Sequence, residues 1–282
     1  MPAELLRQPV TPSRRRDKER EALMTDIVTA RSGGIVDIML NRPTKKNAMT
    51  FSMYTTLAGL LDDAGKDDDV RVVLLHGAGD SFTAGNDLAD FMKGLPEGGG
   101  SPQERLIAAL VAFDKPLVVA VHGAAIGSGT TMLPHCDFVY AGESTRFQMP
   151  FVNLALVPEF GASYSIAAQS GYLAAAELIL LGQPFDARRA AELGLVTRVV
   201  PDQAVLATAK ETAGRLAEKP AGALRASKRL LKRSTREQFD AAAGAEIREF
   251  IARLHSAEAK EAFAAFFEKR RPDFTKIKDP AA

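Results

Sequence analysis

Two short apolar runs, Val70 to Leu75 and Leu117 to Val121, each pass with at most one residue between into a stretch of glycine and other small residues. An unbroken apolar run this short reads as a strand buried on both faces, which is the habit of a parallel sheet. Ile27 to Ala30 and Ile35 to Leu40 read as two further strands joined through Ser32, Gly33 and Gly34, a hairpin signal. Thr50 stands before Phe51, Met53, Leu57, Leu60 and Leu61, a helical pattern that fades at Gly65. Leu95 to Pro102 is a Gly/Pro loop, Gln103 to Phe113 a helix, and a short helix begins near Ser128. Asp137 to Ala141 reads as another strand. Strands alternating with helices imply α/β architecture with right-handed β-α-β crossovers, and ligands of such sheets sit at the carboxyl ends of strands. From about Ala204 the strand signals stop and helical sequence continues to Lys269. The expected organisation is an extension over 1–23, an α/β core over 24–203 and a helical region over 204–282.

Composition removes several classes of function. A formal charge of +1 gives no general attraction for nucleic acid or a membrane surface. No run of eighteen apolar residues is present, and the segment from Met1 to Ala22 lacks the apolar stretch of a secretory signal. Arg14, Arg15, Arg16, Lys18 and Arg20 alternate with Asp17, Glu19 and Glu21, which reads as a solvated tail. The single cysteine, Cys136, forms no internal disulfide, fits a reducing cytoplasm and reads as a structural residue. Metal-ligand spacing is absent, so no metal is expected.

The first small-residue stretch runs from Gly77 to Leu88. Two readings stay open for it: an ordinary turn between strand and helix, or a loop that aims bare N–H groups at a ligand. The second runs from His122 to Thr131, with Gly123, Gly127 and Gly129 around a helix start. Its first N–H groups lack internal partners and suit an anion or a developing oxyanion. It has no lysine for a Walker-type phosphate loop, and Ser128 lacks the flanking glycines of a nucleophile elbow. His122 and His135 have no aligned acid partner that would make Ser128 a hydrolase nucleophile.

Taken together, Asn41-Arg42-Pro43 with Asn47-Ala48, Ser81 to Leu88 (SFTAGNDL), Ala120 to Gly129 (AVHGAAIGSG) and Phe266 to Phe274 (FFEKRRPDF) resemble the signature segments of the crotonase, or enoyl-CoA hydratase/isomerase, superfamily. The likeness spans residues 25 to 275. It implies a ClpP/crotonase-like fold of repeated β-β-α turns, a C-terminal helical region that forms trimers or dimers of trimers, and an acyl-CoA thioester substrate. No separate cofactor is implied, coenzyme A being part of the substrate. The resemblance places the oxyanion hole at the backbone N–H groups of Asn86 and Ser128. It offers Arg42, Lys45 and Lys46 to the phosphates of coenzyme A, and Ala48 and Ala84 to its adenine. Leu88 and Phe151 join the candidate substrate contacts, and Lys269 and Phe274 are expected to reach a neighbouring subunit's ligand. Asp87 is a candidate contact or second acid, with loop N–H bonding as the structural alternative.

Family hydratases resemble one another in carrying two glutamates, at positions filled here by Thr131 and Phe151. Neither side chain acts as a carboxylate base. Moving a double bond from 3,4 to 2,3 needs only one base, and Met149 to Tyr164 (MPFVNLALVPEFGASY) supplies Glu159. This stretch resembles the peroxisomal type of Δ3,Δ2-enoyl-CoA isomerase. Phe151, Leu156 and Phe160 are expected apolar walls that would raise its pKa. The alternative for Glu159 is a first-turn helix residue behind Pro158 at the first helical position. The expected activity is isomerisation, with enoyl-CoA hydration or non-catalytic acyl-CoA binding as alternatives.

Overall fold

The computed structural model describes residues 25–92 and 100–277, apart from the Phe91 side chain. The 1–23 extension and most of the Leu95 to Pro102 loop lie outside these residues. The described residues contain nine strands: β1 (Ile27–Ser32), β2 (Ile35–Leu40), β3 (Val72–Gly77), β4 (Leu117–Val121), β5 (Ala124–Ile126), β6 (Phe138–Gly142), β7 (Arg146–Gln148), β8 (Phe185–Asp186) and β9 (Arg198–Val200). The longer helices are α1 (Phe51–Lys66), α2 (Leu88–Met92), α3 (Pro102–Ala112), α4 (Ser128–Thr131), α5 (Ala162–Ser170), α6 (Tyr172–Leu180), α7 (Ala187–Glu192), α8 (Val205–Ala217), α9 (Ala221–Arg233), α10 (Arg236–Leu254) and α11 (Ala257–Glu268).

Six strands form one sheet in the order β1-β2-β3-β4-β6-β9, antiparallel at β1/β2 and parallel thereafter. Alternate residues divide between its two faces, as the period-2 geometry of strands requires. Val73, Leu75, Val119, Val121, Val139 and Ala141 enter the larger core with α1 and α3, whereas Val72, Leu74, Val118, Ala120 and Tyr140 pack against Val205, Ala209 and Ala213 of α8. Both faces are therefore covered, which is why Val72 to Leu75 of β3 and all of β4 are apolar. A second layer, β5-β7-β8, lies at the ends of these strands. Strand, short second-layer strand and helix recur as β4-β5-α4, the repeated turn the resemblance implies.

Most boundaries agree with the sequence to within two residues. Thr50 caps α1 by accepting the Met53 N–H, and Ser101 with Glu104 forms a reciprocal capping box on α3. The expected strand at Val70 begins instead at Val72. The Val70 N–H closes a turn onto Asp67, and both Arg71 and Val72 donate to the Gly34 carbonyl before parallel pairing starts at Ile35 with Val72. Hydrophobicity alone does not reveal where a buried run leaves its turn.

Candidate active site

The two small-residue stretches meet. Thr83 donates to the Ala124 carbonyl and accepts from the Ile126 N–H, a parallel bridge between Thr83 and Ala125. Past this bridge Gly85 lies against Ile126 and Gly127, and the side chains of the next residues, Asn86 and Ser128, both meet the Tyr54 hydroxyl. The approach is close: a Cβ on Gly85, whose φ is +86°, would stand 2.6 Å from the Ile126 carbonyl oxygen. Glycine is required there by both space and backbone conformation.

The backbone N–H groups of Asn86 and Ser128 have no hydrogen-bond partner among the described residues. Around Asn86, Met49 donates to Gly85 and accepts from Asp87, leaving the Asn86 amide out of the ladder. Around Ser128, Thr130 and Thr131 return their N–H groups to Gly127, and Gly127 donates to Gln148. Two unpaired amides, one opening α4, make a site for negative charge on a single atom.

Tyr54 of α1 locks them together. Its hydroxyl hydrogen-bonds the Asn86 side-chain oxygen and lies 2.7 Å from Ser128 Oγ. One phenolic proton cannot serve both, so Tyr54 donates to Asn86 and the Ser128 hydroxyl donates in turn to Tyr54. Burial, then the nearby Glu159 charge, holds this phenol well above its ordinary range, so it stays a neutral donor.

Glu159 completes the chain. Asn86 Nδ2 donates to Glu159 Oε1 over 3.0 Å. The carboxyl is buried, and burial pushes it up to about 8, with the Asn86 hydrogen bond opposing and the charge of Glu246 reinforcing the shift. The helix-start alternative is corrected by the backbone: α5 begins only at Ala162, and Phe160 and Gly161 both take positive φ, 65° and 66°. A bulky residue in the left-handed region is strained and persists only when its surroundings hold it. Here Glu246 of α10 accepts the N–H of Gly161 over 2.7 Å and that of Ser163 over 2.6 Å, and His135 Nε2 donates to the Phe160 carbonyl over 2.8 Å.

Phe151, Leu156 and Phe160 are all buried. The Phe151 ring tip lies 3.9 Å from where a Cβ on Gly127 would be. Thr131 is buried with its hydroxyl on the Gly127 carbonyl, so neither position of a family glutamate offers an acid. His135 is committed to Phe160, and burial lowers it to about 4; among the described residues the Ser128 hydroxyl bonds Tyr54 and no basic side chain. Cys136 bonds the Met132 carbonyl, and burial pushes its thiol up to about 12, so it is not a nucleophile.

Arg42, Lys46, Ala48, Ala84 and Asp87 come together: Ala84 donates to the Lys46 carbonyl, and the Arg42 guanidinium reaches the Ala48 carbonyl and, over 3.0 Å, Asp87. Arg42 is thus spent inside the protein, and Asp87 serves it and the Ala89 N–H, a structural role for both. Lys45 and Lys46 are exposed and remain the cations facing solvent. Leu88 opens α2 against the core. Lys269 ends α11 in a left-handed cap and Phe274 begins a short turn. Among the described residues no hydrogen bond or ring contact joins either to Asn86, Ser128 or Glu159. A cavity of about 880 Å³ beside α9 is lined by none of these three residues either.

Sequence reasoning missed Tyr54 and Glu246. Each carried a signal: Tyr54 is a hydroxyl at a core position of α1, and Glu246 interrupts an apolar helix face at Phe239, Ala243 and Phe250. A polar group on such a face needs a partner.

Two unpaired amides and a buried carboxyl thus meet on a layered α/β frame, an arrangement that can hold negative charge on one atom. Residues 30–277 match the family described as enoyl-CoA hydratase/isomerase, and the chain belongs to it. Its fold is the crotonase fold: a crystal structure of an enoyl-CoA hydratase/isomerase from Pseudoalteromonas atlantica T6c superposes with a TM-score of 0.86 at 41% identity, covering 89% of this chain and 100% of that one. Enoyl-CoA delta isomerase 2 of Rattus norvegicus is 34% identical over 250 residues, 86% of this chain but 64% of the rat protein, so the chain spans just under two thirds of that relative. The 2,3-dehydroadipyl-CoA hydratase of Escherichia coli K12 is 31% identical over 252 residues, 89% of this chain and 99% of the bacterial one. No helix among the described residues is long and apolar enough to cross a membrane.

Proposed function

We propose that the chain isomerises 3-enoyl-CoA thioesters to 2-enoyl-CoA, with Glu159 as the only proton carrier. The observation that carries this is the hydrogen bond from the Asn86 side chain to Glu159, which ties one buried carboxyl to the residue whose backbone N–H is one of the two unpaired amides. Glu159 removes a proton from C2, and the thioester oxygen takes the charge between the N–H groups of Asn86 and Ser128. The electron pair then shifts, and the same carboxyl returns the proton at C4. No atom is gained or lost and no electrons leave, so no redox cofactor is called for. Each amide contributes about 2.7–4 kcal/mol of transition-state stabilisation in comparable holes. Lys45 and Lys46 are the proposed phosphate contacts, and Lys269 and Phe274 are proposed to act across a trimer interface.

Relatives bearing the name delta isomerase support this reading; relatives named hydratase support hydration as the second. Thr131 and Phe151 favour the first, because hydration in the family pattern asks for carboxylates at both. The test follows absorbance of the conjugated thioester. Wild type is expected to generate it from 3-enoyl-CoA, and Glu159→Gln to do so about 10²–10⁴-fold more slowly. Equal rates would end the assignment, and binding without turnover by wild type would point to a non-catalytic acyl-CoA-binding protein.

A further inference from the structure

Glu159 also walls a cavity of about 30 Å³, together with Gln103 and Ile107 of α3 and Glu246, Ile247 and Phe250 of α10. Gln103 is 5% exposed. Its Oε1 and Nε2 are the buried side-chain polar atoms, among the described residues, that lack a hydrogen-bond partner. Leaving such a group unpaired costs about 1–3 kcal/mol, so an occupant is called for.

The walls specify that occupant. It has to offer a donor to Oε1 and an acceptor to Nε2. A metal cation would serve the oxygen and repel the N–H group. An anion would face the carboxyls of Glu159 and Glu246. The small volume between Ile107, Ile247 and Phe250 suits a group the size of one water molecule. A water molecule needs about 10–15 Å³ of such space and two to four polar partners, and both conditions are met. Bridging the Gln103 amide uses one lone pair and one proton of the water. Its second proton is then free for Glu159, whose Oε1 already accepts from Asn86.

We propose that this cavity is a water site, and that the water fixed by Gln103 is the molecule Glu159 activates for addition to 2-enoyl-CoA. The inference rests on Glu159 being the base of the proposed function and extends it to a second reaction. Glu159 takes one proton as the water oxygen bonds to C3. The C2=C3 electron pair moves onto C2 and the thioester, whose oxygen is held by the two amides. Glu159 then delivers its proton to C2, so every atom of the water is in the 3-hydroxyacyl product. A single carboxylate and an amide thereby replace the missing pair of glutamates.

The test uses the full chain, wild type and Gln103→Leu, with three readouts: a high-resolution crystal structure, hydration of 2-enoyl-CoA in ¹⁸O-labelled water, and isomerisation of 3-enoyl-CoA. The expected result is a water bridging the wild-type Gln103 amide and absent from the variant, with the ratio of hydration to isomerisation falling about 100-fold. An empty wild-type cavity, no hydration by wild type, or an unchanged ratio would each overturn the inference. Hydration by wild type without isomerisation would overturn the isomerase reading and leave the water site standing.

Discussion

Burial holds the Glu159 carboxyl at about 8, so near neutral pH only a minority of free enzyme has the ionised base. The value of kcat/KM is expected to rise with pH and level off above about 8, as a pH–rate profile would record. The same shift has a stability consequence of definite sign. Unfolded, this carboxyl ionises near its ordinary 4.5; folded, it keeps its proton to about 8. Its contribution to stability is complete below the lower value and is lost as pH rises through the upper one. Glu159→Gln, which never ionises, is therefore expected to melt on the order of 5 °C higher than wild type above the upper value, with the difference shrinking towards acid. Thermal unfolding across pH measures it, and a difference independent of pH would contradict the assignment. Tyr54 sets the other half of the site. Tyr54→Phe leaves the Asn86 side-chain oxygen and the Ser128 hydroxyl without their shared partner. We expect a kcat loss of about 10–100-fold and a stability loss of about 1–3 kcal/mol. Kinetics and denaturant unfolding of one preparation separate the two effects.

At the scale of elements, α10 presents the base. Glu246 gives one oxygen to Gly161 and the other to Ser163, which fixes the left-handed turn after Glu159, and its charge adds to the upward shift of that carboxyl. Glu246→Gln keeps one acceptor and removes the charge. The midpoint of the pH–rate profile is expected to move below about 8 while kcat falls about 10-fold; a midpoint that stays in place would show that Glu246 is only a structural cap. The distinction between legible and hidden features follows the same line. The hairpin at Ser32, the cap at Thr50 and the buried strand at Leu117 rest on local spacing, which is written in the sequence, whereas the meeting of the two glycine stretches is expected only from the family resemblance. The turn that carries Glu159 is not legible from spacing. Pro158 before a carboxyl reads locally as a helix start, and the left-handed backbone at Phe160 exists because Glu246, far along the chain, holds it. Gln103 was equally hidden, since a glutamine in the first turn of a helix normally faces water.

For the whole molecule, the apolar side chains left outside the core are the informative ones. Leu173 is 83% and Leu231 81% exposed, and Tyr172, Leu180 and Leu181 on the α6 segment and Leu230 on α9 accompany them. Isolated exposed leucines are ordinary, but pairs of large ones at both ends of a nine-residue helix and again on α9 mark surfaces that a second copy would cover. With a formal charge of +1, net repulsion does not oppose such association. The base, its turn and both amides all belong to one chain, whereas among the described residues no hydrogen bond or ring contact joins Lys269 or Phe274 to them. Separating the copies should therefore leave the chemistry and weaken coenzyme A binding. On the proposed trimeric reading, wild type is expected to sediment as a trimer or hexamer and a Leu173→Glu, Leu231→Glu double variant as a monomer. Its KM for the acyl-CoA is expected to rise about 10-fold, with kcat within about 3-fold of wild type, because the lost contacts are uniform binding rather than transition-state contacts. Sedimentation velocity together with steady-state kinetics reads both quantities. A monomer whose kcat collapses while KM holds would mean that a neighbouring copy shapes the Glu159 turn itself, against the single-chain origin of the site.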